Sequence, residues 1–181
     1  LISISSHKVH GPKGVGALFV RNGTKLSPRV FGGGQEKDIR PGTEPMPAIA
    51  GFLGAVESLT VKESLEKVTA LRNGFVEKLK AIEGVTVNSP DDALPYIVNL
   101  SLHKLNSETV LNFMSGMGIY VSSGSACSKG HKSPVLTAMG LSDYIINSSL
   151  RVSLSKYTTE EELNEFVLSA EKALKTLAKR R

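Results

Sequence analysis

Two short stretches of this chain hold residue types able to do covalent chemistry. The first is SSGSACSKG, residues 122–130, which contains the only cysteine, Cys127, followed at once by Lys129 and His131. A free thiol packs well as a small apolar filler, so an inert core cysteine is one reading. Glycines and serines crowd this segment, however, which predicts a solvated loop, and a thiol on such a loop is not buried by its own neighbours. Nearby cations lower a thiol's pKa and favour the thiolate, the form that acts as a nucleophile. The segment alone leaves filler and nucleophile both open.

The second stretch is SSHKVHGPKG, residues 5–14, in which Lys8 follows a strand-like run and is flanked by Ser5, His7 and His10. An exposed lysine in a polar loop is the ordinary reading. A lysine at a strand end beside hydroxyl and imidazole donors suited to a phosphate is also how an enzyme holds pyridoxal phosphate as an imine. Such a lysine must spend part of its cycle neutral, and partial burial with cationic neighbours favours that. Arg151, in SSLRVSLS, opens an apolar strand as either a surface residue or a fork for a carboxylate. The glycine triplet 32–34 and the RPGT segment, Arg40 to Thr43, are ambiguous alone, and the lone Gly14-x-Gly16 is weak support for a nucleotide.

The elements that must position these residues follow from periodicity. LISIS and Val15 to Val20 alternate as strands around the Gly11-Pro12 turn, and residues 21–45 form a long glycine- and proline-rich connection. From Pro47, AIAGFLGAVESL predicts a helix with small residues on one face. A longer amphipathic helix follows with Leu65, Val68, Leu71, Phe75, Leu79 and Ile82, ending at Gly84. VTVNSP and YIVNLSLH read as strands, SETVLNFMSGMG as a helix and IYVSS as a short strand, an order expected of a small α+β domain. Pro134 to Gly140 and SDYIINSS are short helices, the second capped by Ser142, and LRVSLS is a strand. Thr159 and Glu162 form a capping box that opens a final helix through Leu163, Phe166, Val167, Ala170, Leu174 and Leu177. The expected short sheet lies near residues 97–101, 119–122 and 150–154, with helices over one face.

Composition limits the partners. The 181 residues are 40% hydrophobic and 22% charged, with no repeat or low-complexity tract, so a globular fold is expected. No apolar run approaches the ~20 residues of a membrane span, and no secretory signal opens the chain. One cysteine forms no internal disulfide, which makes a reducing cytoplasm the expected compartment. The net charge of +5 is mild, and Lys179-Arg180-Arg181 reads as a solvated helix end, so no nucleic-acid partner is implied. Residue 1 is Leu and already strand-like, so the chain is expected to begin inside a fold, as the C-terminal portion of a longer protein.

Taken together, SSHKVHGPKGVGALFV, GGGQEKDIRPGTEP, SSGSACSKG and SSLRVSLSKYTTEEEL resemble, in order and approximate spacing, the cysteine desulfurases of the NifS and IscS type. These belong to the class V aminotransferase group of fold-type I PLP enzymes. The resemblance covers essentially the whole chain, and SSGSAC is its most specific element. It implies a fragment of the PLP-dependent transferase fold, α/β and α+β. Residues 1–58 would be the end of the large cofactor-binding domain with its connecting segment, and 59–181 the small α+β domain carrying the cysteine loop. By the same resemblance, Lys8 matches the imine lysine, and Ser5 and His7 match phosphate ligands. Thr43 matches the threonine that reaches the phosphate from the other subunit of a homodimer. Cys127 matches the nucleophile that attacks the substrate sulfur and becomes a persulfide, and Arg151 matches the residue that binds the carboxylate of L-cysteine. Ser6, Lys129 and Gly130 depart from residues seen in other members. The implied acceptor is a protein such as an iron–sulfur scaffold, with tRNA thiolation as another destination. A selenocysteine lyase or another class V aminotransferase, and a non-catalytic module that docks sulfur acceptors, are the competing readings. The resemblance also places the ring-stacking histidine and the aspartate for the pyridine nitrogen in an N-terminal half. The isolated chain is therefore expected to be inactive.

Overall fold

The computed structural model describes residues 1–123 and 133–177, which form two compact units, Leu1–Thr60 and Val61–Arg181. Cys127, Lys129, His131 and the basic C-terminal residues lie outside the described residues.

In the first unit, β1 (Ile2–Ser5) and β2 (Gly16–Phe19) form an antiparallel hairpin in the register Ile2↔Phe19 to Ser5↔Gly16. A single 3-10 turn, Ser6–Val9, follows β1 directly. Residues 21–45 contain no helix or strand, as their glycines and prolines predict. Helix α1 (Met46–Glu57) opens with Pro47 in its first turn, where a missing N–H costs nothing. Its small residues have a purpose. A side chain at Gly51 would place a Cβ 2.7 Å from Pro12 Cγ, and a Cβ added at Gly11 would lie 3.1 Å from Ala55 Cβ. The Gly51 and Ala55 face of α1 thus seats the loop after the 3-10 turn at a distance larger residues would forbid.

The second unit is a three-stranded antiparallel sheet in the order β3 (Val85–Val87), β4 (Ile97–Leu102), β5 (Ser149–Ser153). Around it lie α2 (Val61–Lys80), α3 (Ser107–Ser115), α4 (Pro134–Ala138), α5 (Asp143–Asn147) and α6 (Glu160–Thr176). Strand alternation sends Val98, Leu100, Leu102, Leu150 and Val152 to one face, where they cluster with Val68, Phe75 and Leu79 of α2, Val110 and Met114 of α3, and Leu163, Phe166 and Ala170 of α6. Phe75 and Phe166 meet edge to face at 5.5 Å. Lys78 ties α2 to α6, donating to Glu160 Oε1 and Asn164 Oδ1 at 2.7 Å each. The caps are those the sequence predicts: Ser142 accepts from Ile145 N, and Thr159 with Glu162 closes a full capping box. Among the described residues, no helix is long and apolar enough to cross a membrane.

Two expectations need correction. Residues 119–122 do not form a strand. After α3, Gly118 adopts φ +79° and Ile119 N donates back to Met114 O, so this backbone closes the helix end, and only Ser122 makes a bridge, to Arg151. The third strand of the sheet is instead β3, from VTVNSP. Leu65, expected on the apolar stripe of α2, is 41% exposed, because the contacts of this helix begin in earnest at Val68.

Candidate functional site

Ser5, His7 and Lys8 are brought together by one local device. Ser5 ends β1 opposite Gly16, and the turn that follows is fastened by Ser6 N donating to Val15 O and Gly11 N donating to Ser6 O. A 3-10 turn has three residues per revolution, so Ser6 and Val9 share its inner side while His7 and Lys8 share the outer one. Ser6 is accordingly fully buried and Val9 half-buried. Ser5, His7 and Lys8 are exposed, and among the described residues none of their side chains has a hydrogen-bond or ion-pair partner. The partial burial that suits an imine lysine is thus not provided for Lys8 by the unit that carries it, because Ser6 occupies the inward position. The donor set left free, a hydroxyl, an imidazole and a primary amine on four successive residues, is the chemistry that a phosphate-bearing aldehyde requires.

Thr43 is exposed and makes no hydrogen bond to Ser5, His7 or Lys8. Its approach is shaped by a local network in which Gly42 N donates to Gln35 Oε1 and Arg40 Nη1 donates to Pro41 O. Gly42 has φ +121°, a conformation costly for any residue with a Cβ.

Arg151 sits on the other unit, in the middle of β5 and opposite Asn99. Parity puts it with Asn99, Ser101 and Ser149 on the face away from the hydrophobic core, and a slip of one residue would drive the guanidinium into that core. Its neighbours on this face are committed elsewhere. Asn88 Nδ2 donates to Asn99 Oδ1 at 2.7 Å and to Ser101 Oγ at 2.9 Å, Ser101 Oγ donates to Ile145 O, and Ser149 Oγ donates to Ile146 O. Arg151 itself is half-buried, its Nε is buried without a partner among the described residues, and its Nη2 donates to Ser122 Oγ at 3.4 Å. No carboxylate pairs with it among the described residues. A half-buried guanidinium that is unneutralised and held by a neutral hydroxyl can receive a carboxylate from a ligand.

Sequence reading missed two participants here. Ser122 reads from the sequence only as the first small residue of the cysteine segment, and its pairing with Arg151 spans a separation that no local pattern encodes. Arg72, buried in α2, donates through Nη2 to Pro90 O at 2.7 Å and through Nη1 to Asp91 O at 3.2 Å, pinning the turn that leads into β4. In sequence it is an ordinary helix arginine.

Residues 1–166 match the family described as aminotransferase class-V. The cysteine desulfurase IscS of Dictyoglomus turgidum is 41% identical over 170 residues, covering 91% of this chain and 43% of that relative. Among solved structures, a NifS-like protein superposes with a TM-score of 0.84 at 37% identity, over 97% of this chain and 46% of the other. SspA in complex with cysteine gives a TM-score of 0.64 at 37% identity, over 87% of this chain and 44% of the other. The chain thus spans less than half the length of these relatives. The match extends over most of its residues, and the chain belongs to the aminotransferase class V family.

Proposed function

We propose that this chain is the C-terminal part of a PLP-dependent cysteine desulfurase that converts L-cysteine to L-alanine and leaves a persulfide on Cys127. The observation that carries the reading is the conjunction of an unneutralised Arg151 with the segment that leads to Cys127: Ser122, which bonds the arginine through backbone and side chain, is the first residue of SSGSAC. Similarity to proteins named cysteine desulfurase, and to one solved with cysteine, supports it.

Ser5 and His7 would hold the phosphate and Lys8 the aldehyde carbon of the cofactor, with Thr43 of the partner subunit reaching the phosphate in a homodimer. When bound, the cofactor supplies an electron sink for charge at the substrate carbon. Arg151 orients the substrate through its carboxylate, and Lys8 carries a proton to and from carbon. The Cys127 thiolate forms an S–S bond as the substrate's carbon–sulfur bond breaks. The electron pair of the broken bond stays with the carbon skeleton, which is protonated to alanine, so cysteine and thiol become alanine and persulfide with no external redox partner. The persulfide sulfur would pass to an acceptor protein, such as an iron–sulfur scaffold, in the cytoplasm.

The test uses the full-length protein, purified with its cofactor. Cys127→Ala is expected to keep the cofactor absorbance and lose alanine production, and Lys8→Ala is expected to lose the dialysis-resistant absorbance. Alanine formation undiminished in Cys127→Ala would overturn the reading. The 181-residue chain alone, given PLP and L-cysteine, is expected to show neither retained cofactor nor turnover.

A further inference from the structure

We infer that Ser122 is a positioning residue, which presets the Arg151 guanidinium for a ligand carboxylate while leaving its charge uncompensated. The inference rests on the carboxylate role proposed for Arg151 and adds a residue to it.

Ser122 and Arg151 exchange both backbone hydrogen bonds, Arg151 N donating to Ser122 O at 2.6 Å and Ser122 N donating to Arg151 O at 3.2 Å. In an antiparallel pair this mutual arrangement makes the two residues direct neighbours, with side chains on the same side. The Ser122 hydroxyl is therefore held beside the arginine by the backbone, and it meets Nη2 at 3.4 Å. The residue opposite Arg151 on β4 does not take this role: Asn99 Oδ1 accepts from Asn88, and the guanidinium bonds Ser122 and not Asn99. Nε is buried and unpartnered, which leaves the Ser122 hydroxyl as the sole side-chain hold on the guanidinium among the described residues.

Residue type matters at this position. A free arginine gives up considerable rotamer freedom on binding, and a group that fixes it beforehand lowers that cost. A carboxylate at 122 would fix it too, but would consume the charge that the ligand needs. A hydroxyl accepts one N–H and leaves the positive charge available. A methyl group would fill the same space and hold nothing.

Four variants of the full-length holoenzyme test this: Ser122→Ala, Ser122→Thr, Ser122→Asp and Arg151→Ala. Ser122→Ala is expected to raise KM for L-cysteine about three- to tenfold, the loss of one modest hydrogen bond. Ser122→Thr keeps the hydroxyl and is expected to restore most of the affinity, and Ser122→Asp is expected to weaken cysteine at least as much as Arg151→Ala. Cysteamine, which lacks the carboxylate, separates positioning from a general structural role: its concentration dependence, followed by the cofactor absorbance, is expected to be the same in Ser122→Ala as in the natural sequence, whereas a structural defect would shift it along with that of cysteine. A readout free of the cofactor comes from the 181-residue chain, where the Arg151 Nε–H resonance is expected to exchange faster with water in Ser122→Ala. If Ser122→Ala leaves KM unchanged while Arg151→Ala raises it, the positioning role is refuted and the carboxylate role stands. Equal losses for cysteine and cysteamine refute the positioning role as well. An unchanged KM in Arg151→Ala overturns the carboxylate role itself, and the inference with it.

Discussion

Arg72 offers a measurement of how the turn before β4 is held. Its side chain is 6% exposed, two of its nitrogens donate to the carbonyls of Pro90 and Asp91, and Nε has no partner among the described residues. Hydrogen bonds from a charged donor contribute about 1.5–3 kcal/mol each. Against them stands the burial of a cation without a carboxylate, which costs several kcal/mol. Pro90 O also accepts from Ala93 N, so removing the guanidinium leaves Asp91 O and the Oδ1 of the exposed Asn73 to find water. These terms nearly cancel, and Arg72→Met, which keeps the aliphatic stem, is expected to cost no more than about 2 kcal/mol. Arg72→Ala loses about three methylene equivalents of packing as well, at ~0.8 kcal/mol each, and is expected to lie about 2–3 kcal/mol below the Met variant. The assay is urea unfolding followed by tyrosine fluorescence. All four tyrosines, Tyr96, Tyr120, Tyr144 and Tyr157, lie in the second unit and the chain has no tryptophan, so the signal reports that unit alone. Equal destabilisation by Met and Ala would refute the reasoning, since it would mean that the packing of the buried stem adds nothing to the carbonyl bonds that pin the turn.

Three further outcomes are expected. Leu100→Ala removes a fully buried side chain at the centre of β4 and should destabilise the second unit by about 3–5 kcal/mol in the same fluorescence assay. Gly74→Ala in α2, where an added Cβ meets nothing within 4 Å, should stabilise that unit by up to about 1 kcal/mol; in α1, Gly54→Ala should slow amide exchange while Gly51→Ala, whose Cβ would crowd Pro12, should not. The Glu161 carboxyl is held below the usual carboxylate range by hydrogen bonds from its own backbone N–H and from the Thr159 hydroxyl. A lowered folded-state pKa contributes stability that is present above the unfolded value and lost as pH falls through the folded one. The first turn of α6 should therefore loosen progressively as pH falls from the ordinary carboxylate value through the lowered folded one, as followed by amide exchange at Glu161 and Glu162, and Glu161→Gln should remove this contribution.

Local chemistry was legible in the chain itself. Alternation marks β4 and β5, helical spacing marks α2 and α6, and Ser142, Thr159 and Glu162 announce helix starts, because these signals act within a few residues. The small face of α1 and the Gly11-Pro12 turn were visible too, as was the lysine turn with its hydroxyl and imidazole neighbours. Cys127, the residue the sequence singles out most sharply, lies outside the described residues.

Tertiary structure decided the rest, and for one reason: the deciding contacts join residues far apart in sequence. Alternation permits residues 119–122 to be a strand, yet the amide of Ile119 is taken by the end of α3 and leaves only Ser122 for the bridge to Arg151. Arg151 could have been a surface cation; the β4–β5 register sets it opposite Asn99, on the polar face, with no carboxylate to neutralise it among the described residues. Ser122 and Arg72 carry no signal in their own neighbourhoods, since one acts through a cross-strand pair and the other through a turn that a separate element presents. Sequence names the groups that can react or bind, while the pairing of strands determines which of them remain free to do so.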